Sequence, residues 1–592
     1  MASAEQVETL PSLEGESAPQ DFDTMWGDYD PRVEPLEVEI LKEWEEEGVI
    51  LKVLRYRIGV FKGKRAMMSA VFGYPKGGSK LPGLVQIHGG GQYAHSNAVL
   101  TNAKRGYATI SISWAGRISA PGYRVGPNEV KLFWDDKTDD PGYRLTTDWG
   151  ALDAYHAPSR HGKDAFVSIP TGPWTLDAVE SPRNNSWFLC ALGARRALTF
   201  LERQPEVDGD RLGVYGHSMG GKLTVLTAAS DRRVKAAAPS CGGISDRYNG
   251  NALHRHTVGD AANLKRVTCP VFFLSPANDF HGHINDLPAA VEEIKNEQWR
   301  INCTPHANHQ DTPESEVATQ LWFDQHLKNH FFWPKTPETS LKLETPTGVP
   351  SFTVVPDASK PILKLDVYYT QQGVEGGDRK LRLNRINRFW HHAEASNDGE
   401  VWTASLPLFS TDKPLWVYAN VVYDLDKPVT GAGYYYGTYT ADRFNLSSLV
   451  KLIKPAQLKA AGVRATMSPS LMIEAFDPGW GNEWFTYKPA EWPRRTHKVY
   501  HPRWAAPDGA TVSLEVLSPE TNVLEVKLDD FVAKVPLAGG PEWQTISLTA
   551  ADFKDAEENS KSDWTEIMEL GLGGKPWRGA APKFRNLRWI KP

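Results

Sequence analysis

Arg211-Leu212-Gly213-Val214-Tyr215-Gly216-His217-Ser218-Met219-Gly220-Gly221-Lys222 decides how the rest of the chain is read. Leu212 to Tyr215 is a short run that reads as a buried strand, and Lys222 to Ala229 opens a helical pattern. The turn between them, Gly216 to Gly220, has Gly-x-Ser-x-Gly spacing. That spacing sets a serine on a tight strand-to-helix corner, its hydroxyl raised and a helix N-terminus beneath it. Residues two before and two after the serine approach closely there, so a Cβ at either would clash. With 49 Gly among 592 residues, chance supplies such a pentapeptide roughly one time in five. The assignment therefore rests on its surroundings. The plainer alternative, a glycine-rich helix start that Ser218 merely caps, does not account for the strand leading into it.

Outward from this corner, Leu84-Val85-Gln86-Ile87 reads as a buried strand running into His88-Gly89-Gly90-Gly91. Tyr107–Ser113, Val234–Ala238, Val271–Leu274 and Ile301–Thr304 read as further strands. Helical patterns at Trp187–Arg203, Lys222–Ser230, Leu287–Asn296 and Glu314–Lys328 alternate with them. Such alternation predicts an α/β fold, a mostly parallel sheet with helices on both faces. Antiparallel strands between Gly48 and Tyr74 precede it. Residues 117–185, rich in Pro, Gly, Asp and Trp, break the pattern and read as an insertion that serves as lid or pocket wall. The expected division is a leader over 1–47, an α/β catalytic domain over 48–335, an immunoglobulin- or fibronectin-like β-sandwich over 345–430 and a jelly-roll domain over 461–592. Residues 430–460 read as a connector with one short helix.

A serine hydroxyl is a poor nucleophile until a base takes its proton and donors hold the oxyanion. In a strand–turn–helix setting the partners follow in the order serine, acid, histidine, each just past a strand. Asp279 follows Val271–Leu274, and His309 follows Ile301–Thr304. Asp246 and Asp286 are the rival acids; Asp246 follows an earlier strand, and Asp286 sits where a helix N-cap suffices as explanation. Between His306 and His309 the latter lies further into its loop, where it can reach back to Ser218, which leaves His306 as a wall residue. The Met219 N–H is one oxyanion donor, and the second comes from Gly90 or Gly91, whose lack of side chains opens the backbone to a substrate. His88, Gln92, His217, Trp149 and His306 are the expected substrate-binding walls. The glycine loop lacks the spacing of a phosphate cradle. Three close histidine pairs (His254 and His256, His281 and His283, His306 and His309) come without cysteines or a His-Glu-x-x-His helix, so neither a metal nor a cofactor is expected.

Composition bounds the partners. A net charge of −6 on 592 residues argues against nucleic acid and anionic membranes, and no apolar run approaches the length of a membrane span. Residues 1–30 have neither the basic nor the apolar region of a secretory signal; a mature form would be secreted or periplasmic, and the chain otherwise cytoplasmic. Cys190, Cys241, Cys269 and Cys303 lie in or beside apolar runs and read as buried free thiols. Several of the 21 Trp sit in polar, loop-like settings that point to exposed stacking surfaces.

Residues 70–330 resemble the α/β-hydrolase superfamily, and within it the dienelactone-hydrolase-like and acetyl-xylan-esterase-like branch. The resemblance is carried by His88 to Gly91, Arg195 to Leu201 leading to Val207-Asp208, Gly216 to Gly221, Asn278-Asp279 and Asn308-His309. It implies a Ser218–His309–Asp279 triad acting on carboxylic esters through an acyl-enzyme. The long insertion departs from the minimal enzymes of this branch. Trp543 to Leu548 and Asp563 to Ile567 resemble, more loosely, the jelly rolls of carbohydrate-binding modules. Together these imply a serine esterase for a small-molecule or polysaccharide ester. A peptidase of the same fold and an inactive carbohydrate-binding scaffold are the alternatives.

Overall fold

The strand that leads into Ser218 runs near the middle of a nine-stranded sheet in a computed structural model of the protein. The structure describes residues 7–15, 18–61, 63–126, 137, 139, 169–171, 175–373, 386–435, 437–487, 494–574 and 576–592. The sheet's strands in chain order are β1 (Glu39–Glu46), β2 (Val49–Phe61), β3 (Lys64–Pro75), β4 (Leu81–Ile87), β5 (Ala108–Ile112), β6 (Val207–His217), β7 (Val234–Ser240), β8 (Val271–Leu274) and β9 (Trp299–Asn302). Their spatial order is β1-β2-β3-β5-β4-β6-β7-β8-β9. Pairings from β1 through β3 to β5 are antiparallel, and from β5 onward they are parallel. Every residue of β5 and β8 is buried, as strands covered on both faces require. Helices Ser96–Lys104, Ser186–Glu202, Met219–Ser230, Leu287–Glu293 and Pro313–Lys328 supply the cover.

Helix Ser186–Glu202 is buried at every position except its last. A helix apolar all round needs a second cover on its far side, and the N-terminal segment provides it. Trp26 packs on Phe188 with ring centroids 4.7 Å apart, and the Arg195 guanidinium lies 4.7 Å over Trp26. Arg196 donates to the carbonyls of Glu34 (3.0 Å) and Pro35 (2.8 Å). Residues 1–47 therefore contribute structure that a leader would not: a helical turn at Phe22–Trp26 and the sheet's edge strand β1. Within 117–185, Ile118–Ala120 and Tyr123–Val125 form a hairpin that pairs with Ala94–His95. Trp149, expected on the substrate wall, lies outside the described residues.

Past residue 335 period-two burial takes over. One antiparallel sheet holds Glu338–Lys342, Ser351–Val355, Val401–Ser405 and Ala395–Asp398; a second holds His391–Ala393, Ile362–Thr370, Leu415–Ala432 and Thr438–Ser447, with Lys451–Ile453 against Leu415–Val417. This sandwich runs on past residue 430, where the sequence reading places a connector. Thr438–Ser447 is a full strand whose first half is mostly solvent-facing and polar, so its hydrophobic signal is weak. Helix Pro455–Ala460 then leads to two further four-stranded antiparallel sheets, Met472–Glu474 with Lys583–Ile590, Thr511–Leu517 and Gln544–Leu548, and Arg494–Thr496 with Leu570–Gly573, Asn522–Leu528 and Phe531–Leu537. Leu514, Val526, Leu570 and Trp589 share the core of this second sandwich. Of the described tryptophans, Trp114, Trp322, Trp390 and Trp589 are among the most deeply buried residues, while Trp44, Trp299, Trp402, Trp480, Trp543, Trp564 and Trp577 are half-buried; Trp134, Trp149, Trp174 and Trp492 lie outside the described residues. All four cysteines are buried with free thiols. No helix among the described residues is long and apolar enough to cross a membrane.

Where the downstream sheets meet the α/β domain, four imidazoles are buried together. His306 and His391 are held far below the usual histidine range by burial, first, and by neighbouring cations, while burial brings His497 and His501 down to about 4. His391 and His501 face each other at 3.4 Å, Nε2 to Nε2, so one of the two must be unprotonated there. Lys498, paired at 2.7 Å with both Glu474 and Glu483, and Arg503 add positive charge nearby. These imidazoles are neutral when folded and titrate near 6.5 when unfolded. Their contribution to stability is therefore complete above about pH 6.5 and is lost as pH falls towards 4, by up to about 3 kcal/mol each for His497 and His501. Urea unfolding is expected to show a markedly lower midpoint at pH 5 than at pH 7, and His501→Gln to flatten that difference. A midpoint independent of pH over this interval would contradict the assignment.

Candidate active site

Ser218 sits where β6 ends and helix Met219–Ser230 begins, with φ 57° and ψ −117°. A backbone in this region is strained for a residue with a side chain and is held by its surroundings. The two glycines show what holds it. A Cβ on Gly216 would lie 2.4 Å from the Ile87 carbonyl oxygen and 2.6 Å from that of Gly220; one on Gly220 would lie 2.1 Å from Ile87 O. The corner is thus pressed against the end of β4, which brings the loop of Gly90 and Gly91 beside it. Ser218 N–H donates to Ser240 O on β7 at 2.8 Å. Met219 N–H is the first of the helix, one of the four that find no acceptor within it.

Asp279 and His309 reach Ser218 from the ends of β8 and β9. Ser218 Oγ lies 2.8 Å from His309 Nε2, and His309 Nδ1 lies 2.8 Å from Asp279 Oδ2. In the tautomer that satisfies both, Nδ1–H donates to the carboxylate and the serine hydroxyl donates to Nε2. Asp279 is buried, and its Oδ1 accepts from the N–H groups of His281 (2.6 Å) and Gly282 (2.5 Å). Burial alone would raise its pKa; the positive charge and hydrogen bond of His309, with the Cys241 thiol, outweigh that and hold it well below the carboxylate range. The carboxylate therefore stays charged opposite Nδ1, which fixes the imidazole for taking a proton at Nε2.

The remaining expected residues fall differently. His88 is fully buried, its Nδ1 2.8 Å from Gly89 O and its ring stacked on Trp114. Gln92 is buried and braces the glycine loop: its Oε1 accepts from Gly89 N–H (2.6 Å) and its Nε2 donates to Tyr434 O (2.7 Å). His217 is buried between Ser240 Oγ (3.1 Å) and Tyr435 Oη (3.1 Å), and burial holds it well below the usual histidine range. His306 is buried among Tyr368, Phe389 and Phe485, away from Ser218. These four support the site from behind instead of lining an open wall. Gly90 and Gly91 lie in the loop between His88 and Gln92, and a Cβ on Gly91 would meet open space.

The rival acids have other partners. Asp246 pairs with the buried Lys222 (2.5 Å) and His254 (2.9 Å) under the corner. Asp286, at the start of its helix, makes no capping bond and lies 3.5 Å from His283 and 3.9 Å from Arg247. Of the histidine pairs, His281 and His283 are engaged within the protein: His281 Nδ1 with Cys241 O (2.7 Å) and His283 Nε2 with Phe280 O (2.9 Å). His217, Cys241 and His309 do bring ligand-type atoms within 4.8 Å of one another. Yet both His309 nitrogens are hydrogen-bonded, and burial pushes the Cys241 thiol up, away from the thiolate a metal needs.

Three residues at the site carry no signal in the reading above. Phe280 packs its ring 4.2 Å from that of His309. Cys241 sits beside Asp279 at φ 55°. Tyr435 reaches the site from the tip between Leu415–Ala432 and Thr438–Ser447, its hydroxyl donating to His309 O at 2.9 Å. The Gly-Ala-Gly-Tyr-Tyr-Tyr-Gly run at 431–437 is the one trace of it in the sequence.

Residues 188–319 match the dienelactone hydrolase family, a span that contains Ser218, Asp279 and His309. Over an alignment of 161 residues the chain is 26% identical to the acetyl esterase Axe7A of Xylanibacter ruminicola, covering 22% of this chain. The match spans 35% of that relative's own length. Among solved structures, the acetyl xylan esterase from Paenibacillus sp. R4 is similar at 18% identity and TM-score 0.37, over 53% of this chain and 97% of its own. Acetyl xylan esterase 1 from Thermoanaerobacterium sp. JW/SL YS485 is similar at 19% identity and TM-score 0.35, over 54% and 96%. A glucuronoyl esterase from Solibacter usitatus follows at 13% identity and TM-score 0.34, over 56% and 90%.

Proposed function

We propose that the chain hydrolyses carboxylic esters through Ser218, His309 and Asp279, and that its substrate is an acylated carbohydrate, an acetyl ester first of all. The observation that carries this reading is the pair of 2.8 Å contacts from Ser218 Oγ through His309 to Asp279, made by a serine on a strained corner. His309 Nε2 takes the hydroxyl proton as Oγ attacks the ester carbonyl, and the Asp279 carboxylate stabilises the imidazolium that forms. The tetrahedral oxyanion falls to the Met219 N–H and to a backbone N–H of Gly90 or Gly91. The protonated His309 then gives its proton to the leaving alkoxide. Water, deprotonated by the same nitrogen, releases the acid from Ser218. The dienelactone hydrolase domain and the acetyl esterase relative support ester chemistry and a short acyl group; two β-sandwiches after the domain accord with a saccharide alcohol.

The test is covalent labelling. A fluorophosphonate is expected to modify the native chain at Ser218, mapped by peptide mass, and to block release of acetate from acetylated xylan and from p-nitrophenyl acetate together. Labelling elsewhere, or acetate release untouched by full labelling, would refute the reading.

A further inference from the structure

The two loops that carry Asp279 and His309 are tied down by side chains from outside the 188–319 domain. Asn278, fully buried, accepts from Trp390 Nε1–H at 2.9 Å through Oδ1 and donates to Arg388 O at 2.9 Å through Nδ2. On the histidine side the ties are phenols. Tyr487 Oη accepts from Asn308 N–H at 2.8 Å and donates to Asn308 O at 2.9 Å, closing both backbone groups of the residue before His309 on one hydroxyl. Tyr435 Oη donates to His309 O at 2.9 Å and lies 3.1 Å from His217 Nε2. With Nε2–H of His217 donating to Tyr435, its Nδ1 is left to accept, and Ser240 Oγ lies 3.1 Å from it. One phenol thus links the histidine loop to the residue immediately before Ser218.

His309 itself stands at φ 48° and His306, three residues earlier, at φ 58°. A loop with two such residues does not hold its shape from local preference; its neighbours must fix it. Tyr487 comes from the connection between Met472–Glu474 and Arg494–Thr496 of the C-terminal sandwich, and Tyr435 from the hairpin tip of the preceding one. Two separate downstream units therefore converge on two consecutive residues of one loop.

We propose that Tyr435 and Tyr487 are positioning residues that hold the His309 backbone so that Nε2 meets Ser218 Oγ, and that the β-sandwiches thereby complete the active site. This rests on the assignment of Ser218, His309 and Asp279 as the triad. A hydroxyl lost from such a contact frees a backbone carbonyl or N–H to seek water, and a displacement approaching 1 Å in a catalytic group can cost about 10²-fold in rate. The cost is expected to fall on kcat, because both hydroxyls are engaged on the backbone of the histidine loop.

The test uses the full-length chain with Tyr435→Phe, Tyr487→Phe and the double variant, each checked for a wild-type melting temperature. Three readouts are taken: the rate of fluorophosphonate labelling at Ser218, kcat and KM on p-nitrophenyl acetate, and the acidic limb of the kcat/KM profile. Each single variant is expected to lose about tenfold in kcat and in labelling rate, the loss a displaced hydrogen bond of ordinary strength produces, with KM within twofold. The double variant is expected to lose more than either. A histidine held less firmly against Asp279 is a weaker base, so the acidic limb moves to lower pH, which a purely structural role would not cause. If a phenylalanine variant does not fold, Tyr→Trp at the same position carries the test, keeping bulk while misplacing the donor, with the same loss in kcat expected. Folded variants with kcat and labelling within twofold of wild type overturn the proposal and leave the triad standing. A wild-type chain that is not labelled at Ser218 overturns both.

Discussion

Ser218→Ala is expected to lower kcat for ester hydrolysis about 10⁶-fold, and Asp279→Asn about 10⁴-fold, with the fold intact in both. The alanine removes the nucleophile and its bond to His309 Nε2, while the corner that strains the backbone is fixed by contacts of Gly216 and Gly220 that do not involve the hydroxyl. What survives is the oxyanion donors and substrate binding, which alone are worth about 10³–10⁴ over water. The asparagine acts differently. It keeps the shape of Asp279 but offers His309 Nδ1 either an N–H, which drives the imidazole proton to Nε2 and points it at Ser218, or an oxygen without charge to stabilise imidazolium. The order of the two losses is the informative part. Steady-state kinetics on p-nitrophenyl acetate decide it: Ser218→Ala with turnover near wild type would refute a serine nucleophile, and Asp279→Asn with none of its activity lost would remove the acid from the mechanism.

Gly220→Ala is expected to be a severely damaging single-methyl change. Its Cβ would stand 2.1 Å from Ile87 O and 2.6 Å from His88 O, both main-chain atoms at the end of β4. No rotamer relieves such a contact; either the corner lifts from the sheet or β4 shifts, and with it the loop of Gly90 and Gly91. Stability should fall by about 4 kcal/mol or more, the range in which backbone clashes in a packed core lie. Activity should fall even in whatever fraction folds, because the Ser218 hydroxyl and the oxyanion donors move apart. Gly91→Ala provides the contrast: its Cβ meets open space, so stability should stay within about 0.5 kcal/mol of wild type. Urea unfolding and labelling of Ser218 read both. A Gly220→Ala chain with wild-type midpoint and labelling rate would show that the corner is not pressed against β4 as described.

The α/β core was legible because its signals are local. β8 coincides with the predicted Val271–Leu274, and Pro313–Lys328 with a predicted helix to within one residue. Parallel strands buried on both faces read as apolar runs, and covering helices read at their own period. The same reasoning picked out Ser218, Asp279 and His309, each just past a strand, and the structure brings the three side chains together through contacts of 2.8 Å. It failed for His88, Gln92, His217 and His306, all polar residues near the right loops. A polar side chain in a loop reads as solvent-facing, and only packing shows that Gln92 turns inward to Gly89 and Tyr434. It also missed how deeply some tryptophans are covered by elements far away in the chain, Trp390 among them. Leucine or valine runs announce their own burial; Trp390, bonded to Asn278 across the domain boundary, does not.

By itself the sequence determined the class of fold, the position of the strained serine corner and the order of Ser218, Asp279 and His309 behind their strands. All of these follow from residue spacing along one chain. Only the tertiary structure decided that the histidine loop is closed by Tyr435 and Tyr487. Those contacts join residues 126 and 179 positions apart, and each is one phenol hydroxyl on a backbone group. A carbonyl or N–H has no residue identity, so no pattern of side chains marks which tyrosine it will meet. The chemistry was written locally, and the geometry that makes it productive is assembled from three separate stretches of the chain.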